Sequence, residues 1–231
     1  MSARTPNGIV WQRMAELSQV SLDFGSDESI LSRVTEAAVE LIPGASCADV
    51  LIIEDGSFRS VAATSEIPST LDDAQRMYSE GPCLDAITAD SVIRSSDFRT
   101  ETRWPTFREA AVENGVHSAL SYQLYASGTG RGALNIFGNE PDAFDIEAEQ
   151  IGMMLATHAA QVLRASDKKQ QFDSALASRD LIGQAKGMIM ERFAIDAVQA
   201  FELMAKLSQE SNLPVRELAR DIVAKGSATR V

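Results

Sequence analysis

Apolar residues recur along this chain in two rhythms, and the change from one to the other divides it. Up to residue 145, runs at helical spacing are interleaved with runs that alternate; beyond it only the helical spacing persists. Residues 10–24 and 29–41 predict amphipathic helices, with Asp27 as cap of the second and Pro43-Gly44 as its end. Residues 48–54 and 57–64 predict two strands joined at Asp55-Gly56, a hairpin signal. A helical stretch around 72–79 follows, and Glu80-Gly81-Pro82-Cys83 opens another. Residues 91–95 predict a brief strand, and 105–114 a helix stopped by Gly115. Residues 117–125 and 131–137 predict a strand pair across Ser127-Gly128-Thr129-Gly130. Helices flanking hairpin-connected strands give an α+β domain with an antiparallel sheet.

Residues 145–193 hold no proline and predict one nearly continuous helix. Along it Leu155, Val162, Lys169 and Leu176 recur every seven residues, as do Ile151, His158, Ala165 and Phe172. This is a seam that would tether two copies, interrupted by His158 and Lys169. Its charged, glutamine-rich stretch 166–171 is the expected hinge. Three apolar stripes then follow: Ile182, Ala185, Ile189 and Phe193; Ala197, Phe201, Met204 and Ser208; Val215, Leu218 and Ile222. Asp196 with Gln199 three residues on matches a capping box. Asn212-Leu213-Pro214 separates the last two helices, and Gly226 is the expected stop. A module of about fifty residues buries little core alone, so it is expected to lean on a partner.

The polar positions of that module carry a second pattern. Arg179, Gly183 and Lys186 form a row beside the first stripe, with Gly187 adjoining it. Two interior glycines cost about 1 kcal/mol each against alanine, so close approach of another backbone is expected to offset them. Arg216 and Arg220 form a basic pair one turn apart on the last helix. On spacing alone these cations read equally well as a solvated face.

Charge sharpens the division. The chain carries a formal net charge of -12 over 231 residues. From Leu176 onward, 8 Lys and Arg stand against 7 Asp and Glu, which leaves 13 against 26 in the part before it. An acidic first part repels a polyanion and the nearly neutral tail does not, so any nucleic acid is expected at the C-terminal end. No apolar run reaches the length of a membrane span, and no signal peptide is expected. Cys47 and Cys83 sit in dissimilar settings, which suggests reduced thiols in a cytoplasm.

Two family resemblances change the picture. Ser178-Arg179, Ala185-Lys186-Gly187, Met190, Ala200-Phe201, Ser208 and the run from Asn212 to Ala219 resemble the ANTAR domain, a three-helix module of bacterial transcription antiterminators. The resemblance implies a homodimer that binds nascent RNA with paired stem-loops and so prevents a terminator from forming. Arg179, Lys186, Arg216 and Arg220 are the expected RNA face. Over residues 10–165, several pieces in order are similar to a GAF domain, a small-molecule sensor related to the PAS fold. They are Glu80-Gly81-Pro82-Cys83-Leu84, Arg103-Trp104-Pro105 with Phe107, Gly115-Val116-His117-Ser118, the run from Gly132 to Phe137, and the run from Pro141 to Asp145. This resemblance implies a ligand held between the sheet and loops at 77–116, and pairing through the terminal helices. The expected organisation is a sensor at 10–165, a helical linker at 166–175 and an RNA-binding module at 176–226.

Candidate ligand-binding residues are Tyr78, Cys83, Phe107, His117 and Tyr122, although aromatics in such a domain are more often core. Cys83 falls in the first turn of its helix, where the dipole favours a thiolate; the plainer reading is a thiol packed in a pocket wall. One GAF subgroup reduces free methionine sulfoxide with several clustered cysteines, a pattern this chain lacks. Neither His117 nor His158 has ligands at metal spacing, and no phosphate loop or nucleophile elbow is present. Trp104 reads as the anchor that starts a helix, and Asp72, Asp73 and Glu80 as a solvated acidic surface. No cofactor is named by the sequence. The expected function is a ligand-responsive, non-catalytic antitermination regulator; the alternative is a sensor whose C-terminal bundle serves mainly dimerisation.

Overall fold

The structure, a computed structural model, describes residues 8, 12–13, 15–17, 27–54, 56–89, 92–127 and 130–228. It forms two compact units, residues 1–166 and 167–231. Of the predicted helix 10–24, only Gln12, Arg13 and residues 15–17 are described, and these are helical. The Gly25-Ser26 break, the Asp27 side chain, Asp55, Ser91 and Gly128-Thr129 lie outside the described residues.

The first unit runs α1 (Asp27–Leu41), β1 (Ala45–Glu54), β2 (Ser57–Val61), α2 (Glu66–Tyr78), α3 (Pro82–Ala89), β3 (Val92–Ser95), α4 (Pro105–Glu113), β4 (Ser118–Ser127) and β5 (Gly130–Gly138). The five strands pair antiparallel in the order β2-β1-β5-β4-β3, which is the α+β architecture expected. β2 stops three residues before its predicted end because Ala62 turns into the left-handed region at φ 55°. α2 starts six residues before its predicted start, at Glu66. Its apolar face (Pro68, Leu71) falls inside a run of Ser, Thr and Asp that reads as loop.

Strand alternation sorts the core into two faces. Ala48, Val50 and Ile52 of β1, Leu120, Tyr122 and Leu124 of β4, and Leu134 and Ile136 of β5 pack with α1 and with the start of a long helix. The other face carries Cys47, Ala119 and Phe137 against α2 and α4, and Leu51 and Ala133 against α3. At its centre Phe98, Trp104 and Phe107 pack edge-on and tilted, ring centroids 5.6–6.5 Å apart. Trp104 is the predicted helix-starting anchor, with Nε1 donating to Asp85 at 2.9 Å.

Helix α5 (Ile146–Phe193) is continuous over 48 residues, as its lack of proline predicts. Its first part closes the first unit: Ile151, Leu155, Ala159 and Leu163 are buried against the sheet. Gly152 lies where a Cβ would run into the Tyr122 ring and hydroxyl, and that hydroxyl donates to Glu149 O at 2.9 Å. His158, read as part of an intermolecular seam, is instead buried inside this unit, and burial holds its imidazole below the ordinary histidine range.

The second unit contains the end of α5 with α6 (Ala197–Ser211) and α7 (Val215–Ala228). The predicted capping box is present: Asp196 Oδ1 accepts from Val198 N and Gln199 N, and the Gln199 side chain accepts from Asp196 N. Asn212 ends α6 in the left-handed conformation, φ 53°. α7 runs past Gly226 to Ala228, so that glycine is not the stop. The core is thin, with Ala185, Ile189, Ala200, Met204 and Ala219 alone fully buried among the described residues. Phe193 and Phe201, expected inside, are 58% and 47% exposed. The α6 stripe keeps the predicted Met204 but runs through Ala200 in place of Ala197 and Phe201, because short side chains let the helices close on alanine.

Candidate functional site

On the sheet face covered by α2 and α3, the sequence has put two carboxylates indoors. Asp49 lies between Cys47 and Leu51 on the inward parity of β1, and Asp72 lies one turn before Gln75 on α2; both are buried. Asp49 accepts from Asn135 Nδ2 at 3.2 Å and from Ser60 Oγ at 3.1 Å. Ser121 Oγ in turn donates to Asn135 Oδ1 at 2.8 Å. Asp72 Oδ1 accepts from Gln75 Nε2 at 3.2 Å, while its Oδ2 has no partner. Burial pushes the Asp49 carboxyl up, and pushes Asp72 further, with the Asp49 charge adding to it. The expectation of a solvated surface at Asp72, Asp73 and Glu80 therefore holds for Asp73 alone, which pairs with Arg76 in solvent. Glu80 caps α4, accepting from Thr106 N at 2.9 Å and Phe107 N at 3.3 Å. A period-two reading of residues 47–51 could have flagged Asp49, since its neighbours in parity are apolar.

The five predicted ligand residues do not converge. Cys83 and Phe107 lie on this face, fully buried, in separate clusters. Tyr122 points to the opposite face. Tyr78 is 42% exposed at the end of α2. His117 precedes β4 half-buried, and its Nδ1 is buried without a partner. The thiolate reading of Cys83 fails: the side chain is fully buried, and desolvation with the Asp72 and Asp49 charges pushes its thiol well up. The helix dipole loses to burial. Cys83 N instead donates to Gln75 Oε1 at 3.0 Å, which ties α3 to α2.

In the second unit, Arg179 is exposed and Lys186 half-buried on α5, and among the described residues neither forms an ion pair. A Cβ added at Gly183 or Gly187 would meet nothing within 4 Å, so no backbone among the described residues offsets those glycines. Arg216 and Arg220 are exposed on α7 and share one carboxylate, Glu217, with Arg216 Nε at 3.4 Å. A separate apolar surface gathers Met188, Phe193, Leu203, Leu207 and Ile222, edged by Arg192 and Lys225.

Two family models match the chain, a GAF domain over residues 26–164 and an ANTAR domain over residues 170–223. Among solved structures, the GAF domain of a phosphoenolpyruvate-protein phosphotransferase from Coxiella burnetii aligns at 20% identity and TM-score 0.55, over 70% of this chain and 96% of that one. The free methionine-R-sulfoxide reductase of Neisseria meningitidis, in complex with its substrate, aligns at 14% identity and TM-score 0.52, over 73% and 96%. The phytochrome photosensory core module of Stigmatella aurantiaca aligns at 12% identity and TM-score 0.59, over 90% and 46%. At these identities the likeness speaks for the fold alone. Among the curated proteins nothing matches. No helix among the described residues is long and apolar enough to cross a membrane. The chain belongs to the GAF family, and its ANTAR domain, an RNA-binding module, marks it as a sensor-linked regulator of transcription antitermination.

Proposed function

We propose that this protein is a non-catalytic, cytoplasmic switch in which a homodimer binds paired stem-loops of a nascent RNA. The state of the GAF domain decides when the two RNA-binding modules are brought to bear. The observation that carries this reading is the bare backbone at Gly183 and Gly187, flanked by Arg179 and Lys186 without carboxylate partners. Two costly glycines with open space beside them suit close approach by a phosphate backbone. Arg216 and Arg220 form the second cationic site, released from Glu217 as RNA docks.

Pairing is supported by the linker part of α5. Phe172 and Leu176, one from each of the two seven-residue series, are 69% and 48% exposed, and a second copy is the cover that this seam suits. A small molecule would be read at the α2–α3 face, where Cys83 and Phe107 pack and where Tyr78 and His117 flank the covering elements. Tyr122 is left out because it lies on the other face. A second reading, in which the C-terminal bundle serves mainly dimerisation, is favoured by the apolar surface around Phe193 and Leu207.

Gel shifts with a paired-hairpin RNA against duplex DNA separate the two. Lys186→Ala is expected to weaken RNA binding about tenfold and to lower the salt slope by about one. If the wild-type chain forms no selective RNA complex, the dimerisation reading stands instead.

A further inference from the structure

The sensor's buried acid pair lacks a charge balance. Asp49 and Asp72 face each other within hydrogen-bonding reach, 0% and 4% exposed. Three donors serve them: Asn135 and Ser60 on Asp49, and Gln75 on Asp72 Oδ1. Asp72 Oδ2 receives none. A buried carboxylate oxygen without a donor loses its hydration with nothing in return, and two such groups in contact repel as well. Among the described residues the elements packed around them bring no cation to the pair: β2 brings Ser60, α3 the Cys83 thiol, β5 Asn135, and β4 Ser121 through Asn135. Of the arginines on these elements, Arg59 of β2 and Arg131 of β5 are exposed and Arg76 of α2 pairs outward with Asp73. No group of three or more metal-ligating side chains occurs among the described residues. With the two carboxyl groups within hydrogen-bonding reach of each other, the positive charge that fits between them is a proton.

We propose that Asp49 and Asp72 share one proton, and that this shared proton latches α2 to the sheet, so that the sensor loosens when the proton is lost. The pair joins β1 to α2 directly, and Gln75 carries the connection to α3 through Cys83 N. Ionising both carboxyls would place two charges side by side under that helix and remove the proton that links α2 to β1. Helix α2 with α3 would then be the first part of the sensor to move. The buried aspartates of this face lie there, whereas the residues that β1, β4 and β5 contribute to the α1-side core carry no charge.

The sign follows from linkage. The folded pair holds a proton that the unfolded chain, with ordinary aspartates, has released above about pH 4. The pair's contribution is complete below that range and is lost as pH rises through the folded pair's own titration.

The test uses the full chain. Both tryptophans, Trp11 and Trp104, precede residue 167, so thermal unfolding followed by tryptophan fluorescence reports the sensor. Between about pH 5 and pH 8, where ordinary aspartates stay ionised, the wild-type melting temperature is expected to fall. Asp72→Asn, whose amide donates to Asp49 at any pH, is expected to be flatter over that range and to melt higher at its upper end. Infrared spectra of the wild type near pH 6 should contain a protonated-carboxyl C=O band that Asp72→Asn lacks. Parallel melting profiles, or no such band in the wild type, overturn the proposal. Should Asp72→Asn not fold, Asp49→Asn and the wild-type spectrum carry the same decision.

Discussion

Leu155 and Leu176 lie on one helix and on one seven-residue repeat, yet the first is fully buried and the second 48% exposed. The same contrast runs through their neighbours. Ile151, His158 and Val162 are buried, while Ala165, Lys169 and Phe172 face solvent. A repeat of seven states only that one side of a helix is covered. It does not state by what. In the sensor the cover belongs to the same chain; beyond residue 166 it would have to come from another. Leu155→Ala should therefore cost about 2–5 kcal/mol of sensor stability, as buried leucines do. Leu176→Ala should change the unfolding of the single chain by less than about 0.5 kcal/mol, and should instead raise the dimer dissociation constant in sedimentation. Equal effects of the two on unfolding would erase the contrast.

Polar groups divide in the same way. Glu101 is enclosed by five donors: Ser95 Oγ, Thr102 N, and the Arg103 backbone and guanidinium. The Arg103 hydrogen bonds hold its carboxyl down to about 2. Glu217 of the C-terminal module bridges Arg216 and Arg220 in the open, its side chain 35% exposed. Glu101→Gln is expected to cost about 1–3 kcal/mol near neutral pH. With its folded pKa depressed, Glu101 gives full stability above the ordinary carboxylate range and loses it as pH falls through about 2, so the mutant and wild-type curves should converge there. Glu217→Gln should stay within about 0.5 kcal/mol while strengthening RNA binding, because it frees two arginines.

These contrasts mark how far the sequence could be read. Element type was legible wherever a period met a stop signal: the Asp196–Gln199 box, the Pro82 and Pro105 helix starts, the proline-free run of α5. What stayed hidden was depth. Phe193 and Phe201 look like core because they are large, but three short helices closing on Ala185, Ala200 and Ala219 leave no interior wide enough for them. Asp72 looks solvated because it adjoins Asp73, and only the helix phase separates the two. Cys83 follows the rule for a helix-start thiolate, yet burial overrules it, with two buried carboxylates adding to the effect, and the plainer reading of a packed thiol holds. In both cases a local rule meets a neighbour supplied by another element.

The open face of α5 gives the finest test of the contrast. Inside the sensor a glycine marks a place where something approaches: at Gly152 a Cβ would collide with Tyr122. At Gly183 and Gly187 a Cβ meets nothing within 4 Å, so alanine should stabilise the helix there by about 1 kcal/mol per site. A helix that gains stability from losing its glycines keeps them only if an incoming molecule uses the space. Gly183→Ala with Gly187→Ala should thus melt higher and bind paired-hairpin RNA more weakly, while Arg179 and Lys186 are untouched. Higher melting with unchanged RNA affinity would mean that no nucleic acid reaches this backbone, and the cationic row would then have to act from its side chains alone.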